Sequence, residues 1–249
     1  MARSWKRHYG GDRDYGGDFA QGLGQVLDAA GVVAIEVLRF ARPHSFLGRE
    51  VSEQARTLAR SSREEHRRRG YGFWEALLWS SAKAELSTRR GIMSYALAHG
   101  QPSRAREKLH VSEFLSRLDK GEYADLPKRE VSALCSRVAL CTGAENMHLP
   151  MIDFAIEAGT HNDDVVIGIV ESLGPTGIIF NSGASYHFYG SRPLPAAELP
   201  RFLARAQLLA PLVDHRWISH QILDGECSLR ISTDRERHKA PHRVVASCL

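Results

Sequence analysis

GIIFNSGASYHFYG, residues 177–190, frames the rest of the chain. An apolar run ending at Phe180 meets the small-residue turn Asn181-Ser182-Gly183-Ala184 and leaves it as Ser185-Tyr186-His187-Phe188-Tyr189. Gly183 lets the backbone turn tightly. Beyond it, Tyr186 and Phe188 alternate with Ser185, His187 and Tyr189, the pattern of a second strand with one wet face. Such a strand–turn–strand offers a phosphate serine hydroxyls, free backbone N–H groups and one imidazole. Standing alone, it reads equally well as an ordinary hairpin with a solvated histidine.

Its neighbours narrow the choice. Upstream, His148-Leu149-Pro150-Met151-Ile152-Asp153-Phe154-Ala155-Ile156-Glu157 is an apolar strand-like run with a carboxylate in its middle. Downstream, Ala210-Pro211-Leu212-Val213-Asp214 closes on a second aspartate, and Leu229-Arg230-Ile231-Ser232 follows. Each residue has an ordinary role open to it. Asp153 suits a hydrogen-bonded strand end, Asp214 a cap for the next turn, and Arg230 a cross-strand ion pair.

The 249 residues suffice for one large domain or two small ones, and 43% hydrophobic with 25% charged content is that of a soluble globular chain. A net charge of +4 permits a nucleic-acid partner without demanding one. No apolar run reaches membrane-spanning length, and no apolar segment follows the basic N-terminus, so a cytoplasmic location without a membrane partner is expected. Cys135, Cys141, Cys227 and Cys248 form no CxxC pair and are expected reduced. Cys135, Cys141 and His148 match no common zinc spacing.

Residues 1–20, with Arg3, Lys6, Arg7 and Arg13, read as a flexible arm, and residues 21–127 as a mostly helical basic region. Ser52 is placed to cap a helix, with Ser62 and Glu65 spaced as a capping box inside it. Trp74, Leu77, Leu78 and Ser81 share a helical face; Gly91 and Gly100-Gln101-Pro102 read as breaks, and Ser103 as the start of a helix carrying Leu109, Phe114 and Leu118. Arg63, Arg67, Arg68 and Arg69 are candidates for a nucleic-acid backbone, although Glu64 and Glu65 beside them also suit a solvated face with local ion pairs.

After Pro127 the texture becomes strand-like. Residues 129–140 alternate, and pairing them with the following strand would put Asp153 in their sheet. A helix opened by Pro195 carries Leu199, Phe202, Leu203 and Ala206 on one face, with Arg201 and Arg205 away from it. Val213-Asp214 and Leu229-Ile231 read as the last strands, and the charged tail 234–243 as loose surface.

The order apolar-Asp, Ser-x-His, apolar-apolar-Asp, Arg-bearing strand resembles the catalytic core of the archaeo-eukaryotic primase superfamily, the primase-polymerases, and within it the small 1D-like branch. The resemblance covers residues 128–233 and implies an α+β fold: an N-terminal helical region followed by an RNA-recognition-motif-like antiparallel sheet with helices on one face. It turns the β-prone run 163–173 into a helix.

It further implies a nucleotidyltransferase that uses Mg²⁺ or Mn²⁺, a nucleoside triphosphate and single-stranded or template nucleic acid to make or extend primers. Asp153 and Asp214 would be the catalytic metal ligands; Ser182, Ser185, His187 and Arg230 would bind the nucleotide. First motifs of the family usually carry two carboxylates at alternate strand positions. Here the alternate partner of Asp153 is Ala155, and Glu157 lies roughly 13 Å on along an extended strand. The second motif is one residue shorter than the common form. A degenerate module that binds nucleotide or nucleic acid without polymerising is therefore the alternative. A replication-initiator-like nuclease would need a His-x-His motif, which the chain lacks.

Overall fold

The computed structural model describes residues 5–7, 15–41, 51–70, 72–97, 105–124, 126, 130–232 and 243–249. In chain order its elements begin with β1 (Lys6–Arg7), α1 (Tyr15–Ala29), β2 (Val32–Ala41), α2 (Glu53–Arg69), α3 (Phe73–Ser81) and α4 (Leu86–Leu97). There follow β3 (Ala105–His110), α5 (Val111–Asp119), β4 (Glu130–Leu140), β5 (Met147–His148), β6 (Met151–Asp153) and α6 (Asp163–Leu173). The last are β7 (Gly177–Asn181), β8 (Tyr186–Gly190), β9 (Leu194–Pro195), α7 (Leu199–Gln207), α8 (His215–Asp224), β10 (Ser228–Arg230) and β11 (Arg243–Cys248). The fold is α+β, and its strand pairs are antiparallel.

Two compact units form. One joins Met1–Ala41 to Ser103–Leu249, and the other is Arg42–Pro102. The second holds α2, α3 and α4 around Ala55, Ala59, Leu77 and Ile92. Ser52 caps α2 as expected, its side chain accepting from the Ala55 N–H, and Gly70 ends the helix at φ 73°. Ser62 is no cap: buried inside the helix, it donates back to the Leu58 carbonyl at 2.8 Å. Gly91 is no break either, since α4 runs through it.

In the larger unit the strands divide between two sheets, ordered β1-β11-β7-β8-β6 and β3-β2-β4-β5-β9, with β10 on β4. The region expected to be mostly helical thus contributes β2 and β3, and Leu109 lies in a strand rather than in a helix opened by Ser103. The chain changes sheets at Leu149-Pro150. β4 therefore pairs with β5, whereas Asp153 on β6 pairs with β8 in the other sheet, contrary to the expected partnership with residues 129–140.

Helix α1 buries Phe19, Leu23, Val26 and Leu27, spaced as one helical stripe, against β7, β8 and β11. The opposite side of β8 faces the segment leading into α6, where Tyr186 Oη donates to Asp163 Oδ1 at 2.7 Å. All five β8 residues are consequently buried, so the wet face expected from their alternation does not exist. Residues 163–173 do form a helix. Asp163 and Asp164 in the first turn and Gly174 at φ 92° define it, and the buried stripe Val166, Ile167, Val170 and Leu173 overrides β propensity.

Described residues toward both ends of the chain take up pairings and a helix that differ from the expected layout. Lys6 and Arg7 pair with β11 instead of lying in a free arm; Arg3 and Arg13 lie outside the described residues. Val213 makes only a bridge to Phe154, and Asp214 opens a helix rather than closing a strand. The tail expected to be loose falls at 234–242 outside the described residues, but Arg243–Cys248 pairs with β7 inside the first sheet.

A Cβ on Gly177 would lie 2.1 Å from the Tyr189 carbonyl oxygen, a backbone atom of the paired strand, whereas one on Gly91 would meet nothing within 4 Å. Urea unfolding should therefore separate two alanine variants. Gly177→Ala is expected to lose roughly 1–3 kcal/mol, and Gly91→Ala to gain about 0.5–1 kcal/mol from reduced unfolded-state freedom.

Candidate active site

Asp153 is the last residue of β6, and its register partner is His187 on β8. Partners across an antiparallel pair share a face, so the carboxylate and the imidazole project together. His187 Nε2 stands 3.6 Å from Asp153 Oδ1, too far for a hydrogen bond.

Asp214 arrives from a different part of the chain. Beyond β6, Phe154 bridges Val213, and the Asp214 N–H donates to the Asp153 carbonyl at 2.9 Å. Asp214 is also the N-cap of α8: its Oδ1 accepts from the Arg216 and Trp217 N–H groups at 3.0 and 2.8 Å. The capping role and the position beside Asp153 coexist, because both bonds fall on a single oxygen. Trp217 Nε1 donates to the Ser228 carbonyl at 3.1 Å, and the Ser228 N–H donates to Gln221 Oε1 at 2.8 Å. These bonds tie α8 to β10, the strand that carries Arg230.

Arg230 reaches across to the hairpin, donating through Nη2 to the Ser182 carbonyl at 3.2 Å and through Nη1 to the Ser232 carbonyl. Its charge acts on Asp153, His187 and Tyr189. Ser182 is buried and its N–H donates to the Ser185 carbonyl. Ser185 Oγ donates to the Phe154 carbonyl. One turn N–H expected to be free, that of Gly183, donates to Asn181 Oδ1 at 2.7 Å. The turn is thus pinned internally, with Ser185 tying it to the residue after β6 and Ser182 to Arg230 on β10. The Tyr189 hydroxyl, buried on the same strand face as His187, has no hydrogen-bond partner. Ala155 and Glu157 lie beyond the end of β6, both exposed, so Glu157 does not become a second strand carboxylate.

The electrostatics follow from this packing. Burial, reinforced by the negative charge of Asp214 and opposed by Arg230, pushes the Asp153 carboxyl up to about 8. Burial and then the Arg230 charge push the His187 imidazole down to about 3, so it is neutral at physiological pH. Without a cation, the pair is a protonated acid beside a neutral ring rather than an ion pair.

A second titratable cluster was not foreseen from sequence. Glu36 on β2, Cys135 on β4 and Glu226 bring their ligand atoms within 4.8 Å of one another, the one such three-ligand group among the described residues. Arg106 pairs with both glutamates, and Arg137 pairs with Glu226 at 3.3 Å. Burial pushes Glu226 up, but the Arg106 hydrogen bond and charge outweigh it and leave the carboxyl below its ordinary value. Burial and Glu226 push the Cys135 thiol up to about 12. A protonated thiol and carboxylates already held by guanidinium groups make a structural ion network, not a metal centre. Cys141 is exposed and His148 Nδ1 is bonded to Ser136 Oγ at 2.9 Å, so neither joins Cys135 around zinc.

In the helical unit, Arg67 pairs with Glu64, and Arg68 and Arg69 with Glu65, each at 3.0 Å, while Arg63 lies over the Phe73 ring. No helix among the described residues is long and apolar enough to cross a membrane.

The model of one protein family, described as archaeo-eukaryotic primase 1D-like, matches residues 110–243. No curated protein and no solved structure matches the chain.

The two shifted groups give opposite pH dependences. From about pH 4 to 8 the folded protein keeps a proton on Asp153 that the unfolded chain releases, so this carboxyl makes stability fall as pH rises. From about pH 3 to 6.5 the unfolded chain holds a proton that the folded His187 excludes, so the imidazole makes stability rise with pH. The slopes cancel where they overlap and leave the Asp153 decline above about pH 6.5. Urea midpoints measured across this range should show that decline, and Asp153→Asn should remove it.

Proposed function

The chain belongs to the archaeo-eukaryotic primase 1D-like family, and on that premise we propose that it is a nucleotidyltransferase of the primase-polymerase type. It takes a nucleoside triphosphate and single-stranded or template nucleic acid, and it makes or extends primers. Nucleotides and nucleic acids are the general partners of the family, and divalent metals its general cofactors. The observation that carries the reading is the convergence of Asp153, His187, Asp214 and Arg230, from four separate elements or their ends, around one group of electrostatically coupled side chains.

The donor set fits Mg²⁺ or Mn²⁺. Hard divalent cations take carboxylate oxygens, and the elevation of Asp153 by Asp214 reflects negative charge crowded where a cation would relieve it. Asp153 and Asp214 would hold the metal, with Oδ2 of Asp214 left over from the helix cap. When bound, the cations neutralise charge on the transferring phosphoryl group and activate the attacking hydroxyl. Loading requires Asp153 to release its proton. Held neutral, His187 donates a hydrogen bond to a phosphate oxygen without bringing a charge of its own. Arg230, anchored at the Ser182 carbonyl, supplies the fixed positive charge beside it. Ser182 and Ser185 contribute by holding the hairpin that presents His187.

A second reading, nucleotide or nucleic-acid binding without polymerisation, is favoured by one feature: β6 ends at Asp153 with no alternate carboxylate on the strand. Primer extension with Mn²⁺ separates the two. Asp153→Asn and Asp214→Asn keep side-chain size and, for Asp214, a helix-capping oxygen. Each should lower extension roughly a hundredfold or more if charge at the site is catalytic, with thermal unfolding unchanged or improved for Asp153→Asn. Nucleotide binding by the wild-type protein with no extension product in either metal would instead establish the binding-only reading.

A further inference from the structure

The positive charge of the chain is not spread over it. Between Arg42 and Pro102 there are eleven Lys and Arg against six Asp and Glu, a net +5, whereas the rest of the chain, 22 against 23, carries −1. The helical unit therefore holds more than the whole net charge of +4 in about a quarter of the length.

The same unit leaves large apolar side chains in solvent. Trp79 near the end of α3 is 85% exposed. On α4, Leu86, Arg90, Met93 and Leu97 recur at helical spacing on the side opposite the buried Thr88, Ile92 and Ala96, and all four are exposed. Cations lie close to Trp79 along the chain. Lys83 lies four residues beyond Trp79 and is exposed, and Arg89 donates to the Ala82 carbonyl at 3.3 Å, next to the turn at which the Ala82 N–H bonds the Trp79 carbonyl. The arginines at the end of α2 differ, three of them being engaged by Glu64 and Glu65.

An exposed indole with exposed cations on the same helix pair, in a unit of concentrated positive charge, has the chemistry of a stacking platform for an unpaired nucleobase with phosphate contacts nearby. We propose that the α3–α4 face binds single-stranded nucleic acid, with Trp79 stacking on a base and Lys83 and Arg90 meeting the backbone. The choice of nucleic acid among polyanions rests on the function proposed above, but the contact itself needs neither metal nor nucleotide. It shifts the binding surface from the α2 arginines, which contribute a general field, to α3 and α4, and it assigns work to residues outside the family-matched region 110–243.

Fluorescence anisotropy of a labelled oligo(dT) with the full chain, in EDTA and across a salt series, tests this face. Trp79→Ala should weaken binding roughly 5- to 100-fold, while Trp79→Phe, which keeps a ring, should retain most of it. Lys83→Gln with Arg90→Gln should reduce the slope of log affinity against log salt by about 1.4. Asp153→Asn should bind oligo(dT) like the wild type, so a protein that fails to polymerise still reports on this surface. Equal binding by wild type and Trp79→Ala would overturn the proposal. So would a Trp79-dependent dimer in light scattering, or Trp79-dependent flotation with phosphatidylserine vesicles without Trp79-dependent oligonucleotide binding.

Discussion

Asp153 lies where a negative charge is disfavoured twice, among packed neighbours and within the field of Asp214. Arg230 offsets part of that cost but not all of it, and the carboxyl stays protonated at neutral pH. The site is therefore poised rather than relaxed. A divalent cation would convert the repulsion between two carboxylates into shared coordination, and the imidazole beside them is kept neutral by the same burial and the same guanidinium. The protonation states of the carboxyl and the imidazole are set by a single environment.

The architecture that creates this environment is a change of sheets. Turning at Leu149-Pro150 takes β6 away from β4 and lays it against β8, which puts Asp153 opposite His187. The chain then returns at Val213 to lie beside Phe154, and α8 begins there because Asp214 caps it. Trp217 and Gln221 hold β10 to that helix, and β10 delivers Arg230 to the hairpin. Each candidate side chain is thus positioned by backbone pairing or a helix cap rather than by a long flexible loop, as preorganised electrostatics would require.

The candidate residues were singled out by sharp local signals, an apolar run ending in aspartate, a glycine turn followed by Ser-x-His, and proline before the second aspartate, and the fold brings Asp153, His187, Asp214 and Arg230 together. The hairpin, the Ser52 cap and helix α7 could be read from periodicity and turn chemistry, and the α+β class from the family resemblance. What escaped was non-local. Helix α8, HRWISHQILD, buries only Ile218 and Gln221 and so shows little apolar stripe. β11 lies beyond a charged tail, and its partner β7 is far away in sequence. Residues 163–173 showed the limit of local propensity, since valine and isoleucine served a helix packed on a sheet. The Glu36–Arg106–Glu226 network spans 190 positions and has no short motif at all.

The pairing of Asp153 with His187 has a consequence for how such a chain can vary. Side chains of a strand alternate between its two faces, so changing the loop before β8 by a single residue would exchange the places of Tyr186 and His187 unless a bulge absorbed it. Tyr186 would then meet the carboxylate, and the imidazole would point at the segment that Tyr186 now anchors. Even-numbered insertions preserve the orientation. Parity, more than length, governs which loop variants keep the imidazole and the carboxylate in company.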